Sequence, residues 1–402
     1  MKKITPYYIW FAFSLTALTF IGITAIKLPF RGDERHIVET IKLFSDNFSF
    51  STIKDYPEVT PPFFYMFYAL WAKIFSGSIE SLRMLTLIIS FLTWQLVYYL
   101  FSLFVKKEFH AILLSLLVII NPYFFGTSIF VFTDMLTILL ILAAVISFLK
   151  NQLILYTIFG VLALLCRQYA VIIPSAVVVY SLLNFKREKQ MSIKNIFASM
   201  LTLLPLLSLF VIWKNISPVS GIEKWIVVNS SFYNIDYINT YLTFSVIYIF
   251  PLIFIFLKKI RFVYPGLLIA LLLTFVLTLF PVKTSAATLE FTDYQTVGFV
   301  HQAFTNLFGY DTILLKLILF SLLLAGCYVN AEVIKSFYLT FKAKSYKKEL
   351  IFILLWILFL LIMPISYQVW EKYLTMILPF LILSIYLVLV SPKPERNKRA
   401  TI

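Results

Sequence analysis

Apolar runs of membrane-spanning length alternate with short polar breaks along almost the whole chain. A bilayer core needs about 20 apolar residues per helix. On that measure the pattern predicts spans near 7–26, 84–105, 110–125, 131–149, 152–166, 168–184, 195–213, 240–257, 263–281, 312–330, 350–368 and 372–391. Met1-Lys2-Lys3 ahead of the first run resembles a signal peptide. The run is longer than a signal core and lacks a small-x-small cleavage site, so it reads as a retained helix.

Between the first two spans lies the longest polar stretch, an outer loop over 27–83. It predicts an amphipathic helix over 34–46. It also holds the aromatic-rich run Pro62–Phe75, too short to cross and rich in Phe, Tyr and Trp. Counting that run as a span would invert every later loop, whereas an interfacial helix with its rings at headgroup depth keeps the order. The expected fold is an all-α polytopic membrane protein of about twelve transmembrane helices, forming one domain over 1–402.

Composition agrees. Of 402 residues, 61% are hydrophobic and 13% charged, and the mean hydropathy is +0.92. That leaves too few charges to cover a soluble particle. The net charge of +15 could suggest nucleic acid, but its distribution explains it. Lys106, Lys107, Lys150, Lys186, Arg187, Lys335, Lys348 and the 393–402 tail fall in alternate loops. The positive-inside rule then puts both termini in the cytoplasm, and nucleic acid is not needed. The tail reads as a solvated anchor that also meets anionic lipid. Cys166 and Cys327 stand far apart in apolar runs and three histidines are scattered, so neither a disulfide framework nor a metal site is expected.

In a chain this poor in acids, carboxylates at the outer boundary carry the information. Asp33 and Glu34 follow the first span in Arg31-Gly32-Asp33-Glu34-Arg35-His36. Adjacent residues diverge by about 100° on a helix, so one can face substrate while the other binds a basic neighbour. Asp33 reads equally as a helix N-cap. Asp55, Glu58 and Thr60 lie in a proline-stiffened segment that reads as a turn, with Asp55 or Thr60 alternatively lining a pocket at the membrane surface. Asp134 and Arg167-Gln168 each stand alone between spans; Arg167 needs an anion, either Asp134 or a phosphate. Glu371-Lys372-Tyr373 repeats the pattern before the last span, as substrate contacts or as an interfacial anchor. Glu290, Asp293, His301 and Asp311 are irregularly spaced and read as a solvated loop.

These parts suit glycosyl transfer from a polyprenyl-phosphate sugar, in which cations hold a departing phosphate and a carboxylate deprotonates the acceptor. The ordered set of motifs resembles the α-1,2-glucosyltransferases that use dolichyl-phosphate glucose, within the GT-C superfamily of multi-span glycosyltransferases. The resemblance rests on Arg31-Gly32-Asp33-Glu34, Phe48-Ser49-Phe50, Asp55, Thr60-Pro61-Pro62-Phe63, Phe132-Thr133-Asp134, Arg167-Gln168, Glu371-Lys372-Tyr373-Leu374 and Leu378-Pro379-Phe380. His36 falls one position nearer the acid than that family's His, Tyr169-Ala170 replaces Thr-Asn, and Lys372 replaces Arg.

The resemblance implies an inverting transferase with Asp33 as base and no metal or other cofactor. It implies a polyprenyl-phosphate sugar donor and a lipid-linked or envelope glycan acceptor. The alternatives are a bacterial envelope mannosyl- or arabinosyl-type transferase of the same superfamily and a lipid or solute flippase or permease. The latter calls for inverted repeats and polar residues at helix midpoints, whereas no repeat is seen and the acids gather at the outer boundaries. Short loops and no retrieval signal favour a prokaryotic plasma membrane over the endoplasmic reticulum.

Overall fold

The structure is a computed structural model that describes residues 6–226, 232–255, 264–291, 295–342 and 347–390. Lys2, Lys3, Asp293 and the 393–402 tail lie outside the described residues. The chain opens with α1 (Pro6–Ala25). Three short helices follow, α2 (Glu34–Asp46), α3 (Phe50–Lys54) and α4 (Phe63–Ile74), then the 26-residue α5 (Ile79–Phe104). The third predicted span is divided at Asn121-Pro122 into α6 (Glu108–Ile119) and α7 (Pro122–Thr127). Proline lacks the donor that would continue the helix, and the Asn121 side chain caps the new one at Tyr123 and Phe124.

Next come α8 (Thr133–Leu149), α9 (Leu153–Cys166), α10 (Ile172–Asn184) and α11 (Lys189–Trp213). Then follow α12 (Val219–Trp225), α13 (Ile235–Ile255), α14 (Tyr264–Leu277), α15 (Ala286–Phe291) and α16 (Phe299–Phe308). The chain closes with α17 (Ile313–Lys342), α18 (Leu350–Ile362) and α19 (Leu374–Ile385). No strand occurs among the described residues. Every predicted span has a helix at its place. Among the described residues, six helical stretches are long and apolar enough to cross a bilayer, and the other apolar helices are shorter. The tenth span runs beyond its predicted end, because α17 continues through Ala331–Lys342.

α8, α18 and α19 form the centre: α8 and α19 bury nearly all of their side chains, and α18 buries Leu350–Trp356 and Phe359. α1, α11 and α14 instead turn apolar side chains outward, among them Phe20, Ile23, Phe197, Val211, Leu272 and Phe275. Such a surface is stable in lipid and insoluble in water. Polar groups inside are paired between helices: Trp10 donates to the Trp94 carbonyl, and Trp94 donates to Ser128. This is a multi-pass membrane bundle.

Hydrogen bonds join the loops in two groups. In one, Trp213 donates to the Ile53 carbonyl, Trp225 to Pro57 and Gln168 to Val59, so three predicted outer segments meet. In the other, Lys348 binds the Leu149 carbonyl and Asn151, joining two predicted inner loops. α4 is too short to cross, as expected. Its rings are divided, however. Phe64, Tyr65 and Tyr68 pack inside the protein, with Phe44 against Tyr65 and Phe64 on Tyr68, while Leu70, Ile74 and Phe75 stay exposed. The inward rings therefore serve as core rather than at headgroup depth.

Candidate active site

Asp33 follows Gly32, whose φ of +50° turns the chain into α2; an L side chain would strain that turn. Asp33 occupies the N-cap position, but with helical dihedrals and no side-chain capping bond. A capping carboxylate accepts from the second or third helical N–H, and this one does not. It receives the Lys372 ammonium at 2.8 Å instead, while His36 Nε2 stands 3.8 Å from its other oxygen. About half of the side chain (48%) remains exposed. Lys372 holds this carboxyl far below the usual carboxylate range; burial opposes the shift and His36 adds to it.

Glu34 points the other way and is fully buried. It takes a two-pronged bond from Arg83, Nε at 3.0 Å and Nη2 at 2.6 Å, and accepts the Arg31 and Val131 amides. Four bonds fill a carboxylate's acceptor capacity, so Glu34 has none left for substrate. Arg83 also donates to the carbonyls of Ala25, Ile26, Leu28 and Pro29. It thus closes the C-terminus of α1 and ties it to α2 and α5.

His36 faces Glu58, with Nδ1 2.7 Å from Oε1, and Thr40 donates to the same oxygen. Thr60 pairs with the Tyr65 hydroxyl and its carbonyl accepts from Tyr56. Asp55 takes the Ser220 amide and hydroxyl at the start of α12. Gln168 ties the Val59 carbonyl to Ser217. Asp55, Thr60 and Gln168 therefore brace the loops that carry the site.

Asp134, in the first turn of α8, accepts from Arg167 Nη2 at 3.2 Å and from the Tyr169 hydroxyl at 3.2 Å. Arg167 lies over the Tyr169 ring, and that ring meets Tyr373 at 5.8 Å. Lys372 interacts electrostatically with Asp134 and Arg167 as well as with Asp33, which places all four in one cluster. Arg167 Nε, Thr133 Oγ1 and Tyr241 Oη are buried and find no hydrogen-bond partner among the described residues. Buried donors are rarely left so. No three His, Cys, Asp or Glu side chains among the described residues are grouped as for a metal ion.

Glu371, one residue before Lys372, is buried and spoken for. It accepts the amides of Val300 and His301 at the start of α16 and the hydroxyls of Tyr123 and Tyr248. Gly298 makes room for this cap: a Cβ there would collide with the Tyr123 hydroxyl and come within 2.7 Å of Glu371 Cδ. Gly298→Ala is expected to cost about 1–3 kcal/mol by overpacking and to lower the melting midpoint in detergent. An unchanged midpoint would mean that the cap yields freely. The 282–311 segment is only partly the solvated loop its spacing suggests: Glu290 and Asp311 are exposed, but the segment also carries α15 and α16, and His301 is buried against Phe244. Burial pushes the His301 imidazole down to about 4. A cavity of about 620 Å³ opens beside His301, lined by Lys283, Gln295, Lys316 and the apolar face of α17, away from Asp33.

No protein-family model matches this chain, and no curated protein matches it either. Among solved structures it resembles the crystal structure of ArnT from Cupriavidus metallidurans in the apo state. The two are 12% identical, with 95% of this chain and 77% of that one covered and a TM-score of 0.44. So loose a likeness assigns neither family nor activity.

Of the predicted residues, Asp33, His36, Asp134, Arg167, Lys372 and Tyr373 converge, whereas Glu34, Asp55, Thr60, Gln168 and Glu371 hold the frame. Two partners escaped the sequence. Arg83 reads there only as a loop-end cation, and Glu58 as part of a turn.

Proposed function

We propose that the protein is a GT-C-type inverting glycosyltransferase that moves a hexose from polyprenyl phosphate to a hydroxyl of a lipid-linked or envelope glycan. The observation that carries this reading is the convergence of one half-exposed carboxylate, Asp33, with two cations from remote segments, Lys372 and Arg167. The acceptor oxygen attacks sugar carbon one opposite the phosphate, and its proton passes to Asp33. The bond from carbon one to the phosphate oxygen breaks, and its electron pair leaves with polyprenyl phosphate. Lys372 and Arg167 stabilise that anion. Asp134 and Tyr169 orient the guanidinium, whose buried Nε remains available to a phosphate oxygen. Donor binding draws Lys372 off Asp33 and so uncovers the base. Glucose is the sugar that the first-loop resemblance implies, and the outer face of a prokaryotic plasma membrane is the proposed location.

The test is transfer by purified protein in detergent from radiolabelled polyprenyl-phosphate glucose or mannose, with a crude lipid extract as acceptor, with and without chelator. Label is expected in the acceptor, and chelator is expected to leave the rate unchanged. Absence of transfer from either donor overturns the proposal; translocation of the labelled lipid across vesicles without transfer would point to a flippase. Arg167→Lys is expected to raise the donor KM about tenfold with a small effect on kcat, since an ammonium cannot hold Asp134 and phosphate in one fork. An unchanged KM would remove Arg167 from the donor site.

A further inference from the structure

We infer that Glu58 is a positioning residue of this site: it grips the imidazole of His36 by Nδ1 and thereby aims Nε2 at the Asp33 carboxylate. The inference deepens the transferase reading, and its kinetic arm rests on that reading.

The two ring nitrogens lie on opposite edges of the imidazole, so a bond to one sets the direction of the other. Here the bond to Glu58 is 2.7 Å and the free edge stands 3.8 Å from Asp33. Glu58 is itself held with care. It is buried, and Thr40 donates to its Oε1. The backbone on either side is pinned from distant segments: Trp225 donates to the Pro57 carbonyl, and Gln168 and Ser217 donate to Val59. Gly221 lies so close to the Glu58 carbonyl that a Cβ would collide with it.

The groups facing His36 are Asp33 on its own helix, Glu58 from the proline segment and the Trp225 ring at 4.8 Å from α12. Beyond them lie Lys224, over the Trp225 ring, and Lys372, on the far side of Asp33. Burial works against a charged imidazole, but the two carboxylates outweigh it and raise His36 to about 9. Both ring nitrogens then carry protons at neutral pH. A group raised from 6.5 to about 9 contributes stability that is whole below pH 6.5 and lost as pH rises through about 9. Once Lys372 turns to the phosphate, the imidazolium keeps Asp33 ionised and oriented toward the acceptor. His36 itself transfers no proton.

The chain has three histidines, so ¹⁵N NMR of the imidazoles resolves His36 in a titration. One ring is expected to titrate near 9, assigned by its loss in His36→Gln. Glu58→Gln is expected to bring it down by about one to two units. In transfer assays the alkaline limb of kcat moves down by the same amount. The loss is about two- to tenfold at pH 8 and slight at pH 6, with the donor KM unchanged. Glu58→Asp restores part of the limb. A wild-type His36 that titrates near 6.5 overturns the inference. So does an unshifted ring in Glu58→Gln, or a kcat loss uniform across pH, the mark of a merely structural residue. Should Glu58→Gln fail to fold, the wild-type titration still decides. The NMR arm needs no substrate, so a shifted ring in a protein that transfers nothing keeps the Glu58–His36 pair and discards the transferase reading.

Discussion

Asp33→Asn is expected to lower sugar transfer by about 10²–10⁴-fold, the range for removing a general base, and to leave the melting midpoint nearly unchanged. The substitution keeps size and hydrogen-bonding reach but removes the charge that receives the acceptor proton. The stability at stake is that of the Lys372 pair alone, which the half exposure of Asp33 weakens, because its side chain makes no capping bond to α2. The kinetic signature is specific. Lys372 loses its carboxylate partner and is freer to meet the donor phosphate, so the donor KM stays level or falls while kcat collapses. Asp134→Asn should do the reverse, raising KM by loosening Arg167. Full activity in Asp33→Asn, measured by label transfer at saturating donor, would remove Asp33 from the chemistry and leave Asp134 as the carboxylate to examine.

Arg83→Met is expected to be the most damaging single change to the fold. It leaves the Glu34 carboxylate buried with two backbone amides and no counter-charge. Breaking one partner of a buried ion pair typically costs about 3–5 kcal/mol. The same substitution strands four carbonyls at the end of α1 and in the turn that follows. Glu34→Gln combined with Arg83→Met removes the orphaned charge and keeps an acceptor for one of the two amides, Arg31 or Val131. It should therefore recover much of the lost midpoint in a detergent thermal melt. A single mutant as stable as the wild type would show that Glu34 finds water or a proton at no cost.

The helical frame was legible because apolar runs report directly on what must lie in lipid. The amphipathic helix 34–46 emerges as α2, and three predicted outer segments, like two predicted inner loops, are joined to one another. The Asp134–Arg167 pair was one of two partners that the lone arginine could have. The division at Asn121-Pro122 is also written locally, yet an unbroken apolar run conceals it. The division of labour between Asp33 and Glu34 is another matter. It depends on Arg83, 49 positions from Glu34, and on Lys372, 339 positions from Asp33. No spacing rule spans such distances. Glu371 shows the same limit: next to a site lysine it looks like a substrate contact, but only the folded chain brings the start of α16 beneath it.

Glu371 and Lys372 are consecutive in a short 3-10 turn, Glu371–Tyr373, yet each is anchored to a different body. One clamps the start of α16, which borders the cavity at His301; the other clamps the start of α2 through Asp33. With about 2 Å of rise between them, the two backbone positions move together, while the Lys372 side chain keeps its own freedom to leave Asp33. A shift of α16 is carried through a single peptide unit to the lysine that covers the carboxylate. The turn is thus a mechanical linkage between the cavity wall and the reacting end of the bundle.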